Sequence, residues 1–363
     1  MRQYPVGLLD GARARVVLGM NMAKRVGIVL LLVGAASAST LYYLRRGSSA
    51  AQTPSPPQLI SLIPAGASYV FYADLVPLRE SVLLARIAAL APQVNADREY
   101  ADFVRATGFD YSRDLDRAVL AAQPEPPGNF TMVVAEGRFN REKIIAYALR
   151  SGRVERQNGA AVYVVPTQGY PSGASKPRAK EISFTFLSSN RLALAEGLGL
   201  APLLGPHAPA GPDPEMRERI TLVAGAAVFA VGRVGSLPEN FSLGALRSDQ
   251  FTNLVRSLRW FSLAARPESD RLKVALEAEC DNAGNARQIA GTLEGLRLLG
   301  QAALADPRTR QQMPPETSAA LETLLRAVEV SRDDQRVRLL LEFTPQMLDA
   351  ARPKSPVASP PAR

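Results

Sequence analysis

The residue types that most often carry chemistry are nearly missing from this chain of 363 residues, which has one histidine, His207, and one cysteine, Cys280. Ser-His-Asp and Cys-His groupings and the common zinc sites cannot be assembled beyond a single member of each. A lone cysteine also excludes a disulfide scaffold. His207 lies in the loop Gly-Pro-His-Ala-Pro-Ala-Gly with no acid, Ser or Cys at a useful spacing, so it reads as a solvated loop residue. Cys280 follows Glu279 at the end of an apolar run and reads as a small buried side chain. Phosphate-binding loops are missing as well: AEGLGLAPLLG (195–205) lacks the Gly-Lys-Ser/Thr ending that would hold phosphate and Mg²⁺. No cofactor is expected. What the chain has is apolar residues, 47% of the total, enough to exclude a disordered polymer.

A net charge of +9 suggests nucleic acid until the charges are placed along the chain. Residues 1–46 hold seven cations against Asp10 alone, and residues 352–363 hold Arg352, Lys354 and Arg363 without an anion. The body between, 47–351, carries as many anions as cations. A nucleic-acid interface needs a basic surplus to displace counterions from phosphate, and the body offers none, so no nucleic-acid partner is expected.

The N-terminal charge brackets a membrane signal. From Val26 to Leu44 no residue is charged, with Lys24-Arg25 before and Arg45-Arg46 after. As a helix this run spans about 28 Å, close to the hydrocarbon thickness of about 30 Å. The expected anchor residues include Val26, Leu30, Val33 and Leu41, with Tyr42, Tyr43 and Leu44 at the headgroup end. The cations before the run outnumber those after it, which predicts a cytoplasmic N-terminus (1–25) and an extracytoplasmic body. The lipid bilayer is thus an expected partner through 26–44. A cleaved signal peptide with its site near Ala38 is the alternative, and translation could start at Met1, Met20 or Met22. Either way the body is exported.

Residues 45–58 end in a Pro/Ser-rich linker, GSSAAQTPSPPQ, with a coil dimension of about 19 Å. The tail 352–363 has the same composition and is expected to be disordered. Between them, an ungapped shift of 143 residues sets 115–137 over 258–280 with eight identities in 23 positions, among them Leu120/Leu263, Pro124/Pro267 and Glu136/Glu279. The elements agree too. Tyr69–Asp74 and Ala227–Arg233 are β-prone, each leads into a helical stretch, and two strands then meet at the aligned Pro-Glu turn. Next comes a helix after Asn140 or Asn285, and finally extended segments that turn at Asn158-Gly159 and at Asp333-Asp334. The order β-α-β-β-α-β predicts an α+β fold of two tandem ferredoxin-like repeats with antiparallel sheets, over 59–200 and 215–351, joined by a Pro/Gly-rich linker at 201–214. A second hairpin over 182–197 and a helix over 316–327 are expected as additions.

Carboxylates are the one constellation to weigh. In a split βαβ unit the first and third strands are parallel neighbours, which would bring Asp74 and Glu136 to one rim, where they could bind a cation or share a proton. The simpler expectation is that each acid caps the helix that follows it. The second copy keeps Glu279 but has Arg233 near the place of Asp74.

The stretch IPAGASYVFYADLVPLRESVLLARI (63–87), just after the apolar run and linker, resembles the opening of exported, membrane-anchored bacterial proteins of unestablished function with a duplicated α+β domain. The residues that carry the resemblance are Pro64, Ala67, Asp74, Leu78, Arg79 and Ser81. It implies export and a membrane anchor, and brings no catalytic residue or ligand. The expected function is a bitopic protein of a bacterial cytoplasmic membrane whose extracytoplasmic domain binds or scaffolds a protein partner in the cell envelope and catalyses nothing. The alternatives are an accessory subunit of a larger membrane complex, and a carboxylate-based enzyme or cation-dependent binder.

Overall fold

A computed structural model describes residues 57–81, 98–123, 130–167, 180–197, 200–205, 211–236, 257–268, 270–312, 315–345 and 347. The expected anchor at 26–44, most of the linker, His207 and the tail at 352–363 lie outside these residues. Among the described residues no helix is long and apolar enough to cross a membrane.

The first half of the chain opens with a short 3-10 helix, Gln58–Leu62, and strand β1 (Tyr69–Asp74), followed by helices α1 (Leu75–Glu80), α2 (Arg98–Thr107) and α3 (Tyr111–Asp114). Strands β2 (Leu115–Gln123) and β3 (Phe130–Gly137) come next, then α4 (Arg141–Ala148) and strands β4 (Arg153–Gln157), β5 (Ala160–Thr167), β6 (Lys180–Phe186) and β7 (Arg191–Gly197). The second half runs through α5 (Ala201–Leu204), α6 (Pro214–Val223), β8 (Val228–Arg233), β9 (Leu258–Glu268), β10 (Arg271–Cys280), α7 (Ala283–Ala305), α8 (Pro307–Gln312), α9 (Pro315–Ala327), β11 (Glu329–Asp333) and β12 (Arg336–Phe343).

All of these strands belong to one antiparallel sheet of 12, in the order β11-β12-β10-β9-β8-β1-β2-β3-β7-β6-β5-β4. The mixed α+β class and antiparallel pairing agree with the sequence. The ferredoxin-like arrangement does not: β1 and β3 are separated by β2, and the halves share one sheet instead of folding two. The physical reason is that both hydrogen-bonding edges of β1 are taken, one by β2 and the other by β8, which leaves no edge for β3. Burial of β1 and β8 on both faces, with Val70 and Tyr72 on one side of β1 and Ala73 on the other, marks them as central strands. The alternation says that they are central, but not which strand flanks them.

Each half places its neighbour through β1 and β8, which pair antiparallel with Val70 opposite Val231, Phe71 opposite Ala230 and Tyr72 opposite Phe229. The bonds at the two ends of this junction correspond: the Asp74 N–H donates to the Ala227 carbonyl at 2.6 Å, and the Arg233 N–H donates to the Ser68 carbonyl at 3.0 Å. Outward from the junction, β2–β3 on one side and β9–β10 on the other are both antiparallel hairpins. The described strands of 115–137 and of 258–280 therefore pair in the same antiparallel way.

The sheet is covered on both faces, not on one as a ferredoxin-like unit would be. The 3-10 helix, α5 and α6 lie on the main core, where Leu59, Ile63, Met216 and Ile220 meet Val70, Val119, Val134 and Phe229. The opposite face carries α4 at one end, packing Ile144 and Ala148 on Tyr163 and Phe184, and α7 at the other, packing Ala286 and Ile289 on Cys280 and Val337.

Local chemistry explains the boundaries. Asn140 caps α4 through the Lys143 N–H at 3.1 Å. In the second half the cap is Asn282, which accepts from the Asn285 N–H at 2.9 Å, so α7 begins three residues before the expected place. The β4–β5 hairpin turns where expected: Asn158 and Gly159 both have positive φ, 49° and 83°, as a type I′ turn requires. The β11–β12 turn falls at Asp334 and Gln335, with Asp334 at φ 48°, one residue later than expected. The hairpin at 182–197 and the helix at 316–327 are present as β6–β7 and α9.

Candidate functional site: a charge row across the sheet

Asp74 and Glu136 do share one rim, though not as parallel neighbours. In the sheet register Asp74 faces Arg117, Arg117 faces Glu136, and Glu136 faces Arg191, so four adjacent strands contribute one row of alternating charge. The Arg117 Nε donates to Asp74 at 3.0 Å, another of its nitrogens stands 3.6 Å from Glu136, and Arg191 binds the other Glu136 oxygen. The carboxylate side chains are 20% and 15% exposed, so these pairs are poorly screened by water. The row lies on the same face as Val119 and Val134, at the end of the main core.

Asp74 has a second task. Its side chain accepts from the Val76 N–H at 3.2 Å and so caps α1, as the sequence suggested. Glu136 caps nothing; its partners are the two arginines. A divalent cation between Asp74 and Glu136 would have to displace Arg117, whose guanidinium already occupies that space. Among the described residues no group of three or more His, Cys, Asp or Glu is placed to hold a metal ion. Beside the row, Tyr72 stacks on Phe229 with ring centroids 5.0 Å apart. Burial, reinforced by the Asp74 charge, pushes its hydroxyl up to about 12.

The second half has a corresponding row of different chemistry: Arg233 faces Trp260, Trp260 faces Glu279, and Glu279 faces Arg336. Trp260 stands at the register place of Arg117. Two guanidiniums lie over its indole, Arg219 with its central carbon 4.1 Å from the ring centroid and Arg233 at 4.8 Å. Arg219 also grips Glu279 through two contacts of 2.9 Å, and Arg233 binds Asp213, the cap of α6, at 2.8 Å. The buried Nε of Arg219 has no hydrogen-bond acceptor, and it belongs to the guanidinium whose central carbon lies over the indole. These contacts lock α6 onto the sheet.

A third charged cluster closes the corner between α3 and β3. Asp114, buried, accepts from Arg113 at 2.7 and 3.0 Å, from the Asp110 N–H at 3.0 Å and from Arg138 at 3.4 Å. The bonded Arg113 guanidinium, helped by the Asp110 amide and Arg138, holds the Asp114 carboxyl well below the usual carboxylate range despite burial. Cys280 is fully buried against α7, and burial pushes its thiol up, away from the reactive thiolate. The described residues also form two open surface hollows: one of about 490 Å³ between α2 and α4 beside Arg105, Tyr147 and Arg150, and one of about 420 Å³ at Glu279 and the β11–β12 turn.

Arg117, Arg191 and the Arg219–Trp260–Arg233 stack were not singled out from sequence. The signal available was alternation, since Arg117 is two residues before Val119 and so shares its face. The row itself depends on register between strands far apart in the chain, which alternation does not supply.

No family model matches the chain, and no curated protein matches it. Among solved structures it is similar to crystal form III of a protein named TP0453, at 11% identity and a TM-score of 0.45, covering 82% of this chain and 95% of that one. Crystal form IV of the same protein gives 10% identity and a TM-score of 0.41 with the same coverage.

Proposed function

We propose that this protein is a single-pass protein of a bacterial cytoplasmic membrane that displays a duplicated α+β domain on the extracytoplasmic side, where it binds or scaffolds another envelope component without catalysing a reaction. The observation that carries the reading is the uncharged run at 26–44 between two basic pairs, with a small polar linker running from it to the 3-10 helix at Gln58. Anchor, tether and domain follow one another in the order such a protein needs.

Support for duplication extends past the aligned hairpins. Ala65-Gly66-Ala67 and Ala224-Gly225-Ala226 precede β1 and β8 at the same distance, and in each the closing amide bonds three residues back: Ala67 to the Pro64 carbonyl at 3.1 Å and Ala226 to the Val223 carbonyl at 3.2 Å. The reading without catalysis is supported by the charge row, in which arginines take up the carboxylates that would otherwise be the natural acid or base. It also fits the divergence of the second row, where a tryptophan replaces Arg117 and a shared catalytic constellation is not retained.

Crosslinking in intact membranes, followed by identification of the captured proteins, tests this reading together with alkaline carbonate extraction. The expected result is a chain that stays with the carbonate-washed membrane, is cut by protease added from outside, and captures a specific envelope protein. A chain released by carbonate would overturn the anchor. Comigration with a large complex in mild detergent would move the assignment to an accessory subunit, and loss of ligand binding in Asp74→Asn or Glu136→Gln would move it to a carboxylate site.

A further inference from the structure

Helix α7 is apolar on the side where a helix covering a sheet is ordinarily charged. From Gly291 to Ala305 the exposed side carries Leu296, Leu298 and Leu299, which are 52%, 52% and 69% exposed, and its nearest charge is the 42%-exposed Glu294 one turn before Leu298. The two charged residues of that stretch, Glu294 and Arg297, bind each other at 2.5 Å. The sheet-facing side is satisfied separately, by Ala286 and Ile289 packed on Cys280 and Val337. The leucines are therefore surplus to the core. Exposed arginines flank the stretch, Arg287 before it and Arg308 after it.

We propose that this leucine side of α7 lies against the surface of a lipid bilayer, with the leucines below the headgroups and the flanking arginines among anionic ones. The proposal rests on the membrane-anchored reading above: a tether of about 19 Å holds the domain within reach of lipid. Helices of this kind lie in the interface plane with the apolar side sunk about 5–10 Å. Charge agrees with that occupant at the two ends of the strip: Arg297 is bound by Glu294 and Arg310 stands 3.5 Å from Glu322, while Arg287 and Arg308 are exposed there, where anionic lipids of a membrane surface attract them. Size argues against a second copy of the chain. The strip that carries the exposed leucines is about 22 Å long and about 10 Å wide, far smaller than the roughly 800 Å² per partner of a standard interface.

The test uses the full chain with Leu299→Trp, reconstituted in vesicles of phosphatidylethanolamine and phosphatidylglycerol whose acyl chains are brominated or not. Bromine quenches tryptophan only at acyl-chain depth. The native Trp260 is buried in the protein and serves as the internal reference, and Leu222→Trp on α6, at the other face of the sheet, is the control. The expected result is a loss of about twofold in the Leu299→Trp emission with brominated lipid, with wild type and Leu222→Trp unchanged. Leu298→Trp repeats the measurement if Leu299→Trp fails to fold by circular dichroism. Emission from both leucine variants that ignores bromine overturns the proposal, and a blue shift without bromine dependence assigns the face to a protein partner. Carbonate extraction of the same vesicles separates the two readings. An anchored chain without quenching overturns this inference alone, and a released chain whose Leu299→Trp is still quenched overturns the anchor alone.

Discussion

Arg117 stands between Asp74 and Glu136, and without it two partly buried acids would remain on either side of β2, with Arg191 alone to neutralise them. Because Arg117 is itself 45% exposed, water offsets much of the gain, and Arg117→Met is expected to lower unfolding free energy by about 1 kcal/mol in urea titration. Asp114 has more at stake, since it is buried and bonded to two guanidiniums and an amide. Asp114→Asn is expected to cost about 2 kcal/mol at neutral pH. The sign with pH follows from its lowered carboxyl. The contribution is present above the ordinary carboxylate value of about 3.9, and is lost as pH falls through the lower folded value. Wild type should therefore lose stability more steeply than Asp114→Asn below about pH 4, and equal slopes in acid titrations followed by circular dichroism would contradict this. That Asp74 and Glu136 lie on one rim was legible in the sequence because both acids fall at the ends of β-prone runs, but the parallel neighbourhood expected for them was not found, since β2 and Arg117 stand between them. Their arginine partners were not legible, because the chain offers dozens of arginines and only the register selects Arg117 and Arg191.

At the scale of elements, β3 ends where Gly137 lets the chain pass against α3. A Cβ at this glycine would stand 2.3 Å from the Asp114 carbonyl oxygen, which is backbone and cannot swing aside. Gly137→Ala should therefore destabilise by about 2 kcal/mol and disturb the Asp114 cluster beside it, read as a lower thermal midpoint and a flattened acid transition. Strands and helices of this kind were largely legible: β1 falls on the expected residues, Asn140 caps its helix, and Asn158-Gly159 turns its hairpin. Cap choice failed where two asparagines compete. Asn282 and Asn285 are both capping residues by type, and Asn282 takes the role because its backbone is extended while its side chain binds the Asn285 amide.

The whole molecule is organised by the junction of β1 with β8, which joins the strands of the first half and those of the second into one sheet. Composition and periodicity gave the α+β class and central strands, but a strand buried on both faces reads the same in a ferredoxin-like sheet and in a longer continuous one. The pairing between residues 70 and 231 crosses about 160 positions of chain, beyond the reach of any local pattern. That junction is tested most directly by the pair Val70→Cys and Val231→Cys, introduced together and oxidised in dilute solution, with mass spectrometry and non-reducing gels as the readout. The account predicts a bond within one chain and a higher thermal midpoint for the oxidised than for the reduced variant. Free thiols that persist under oxidation, or bonds that form between chains, would contradict it.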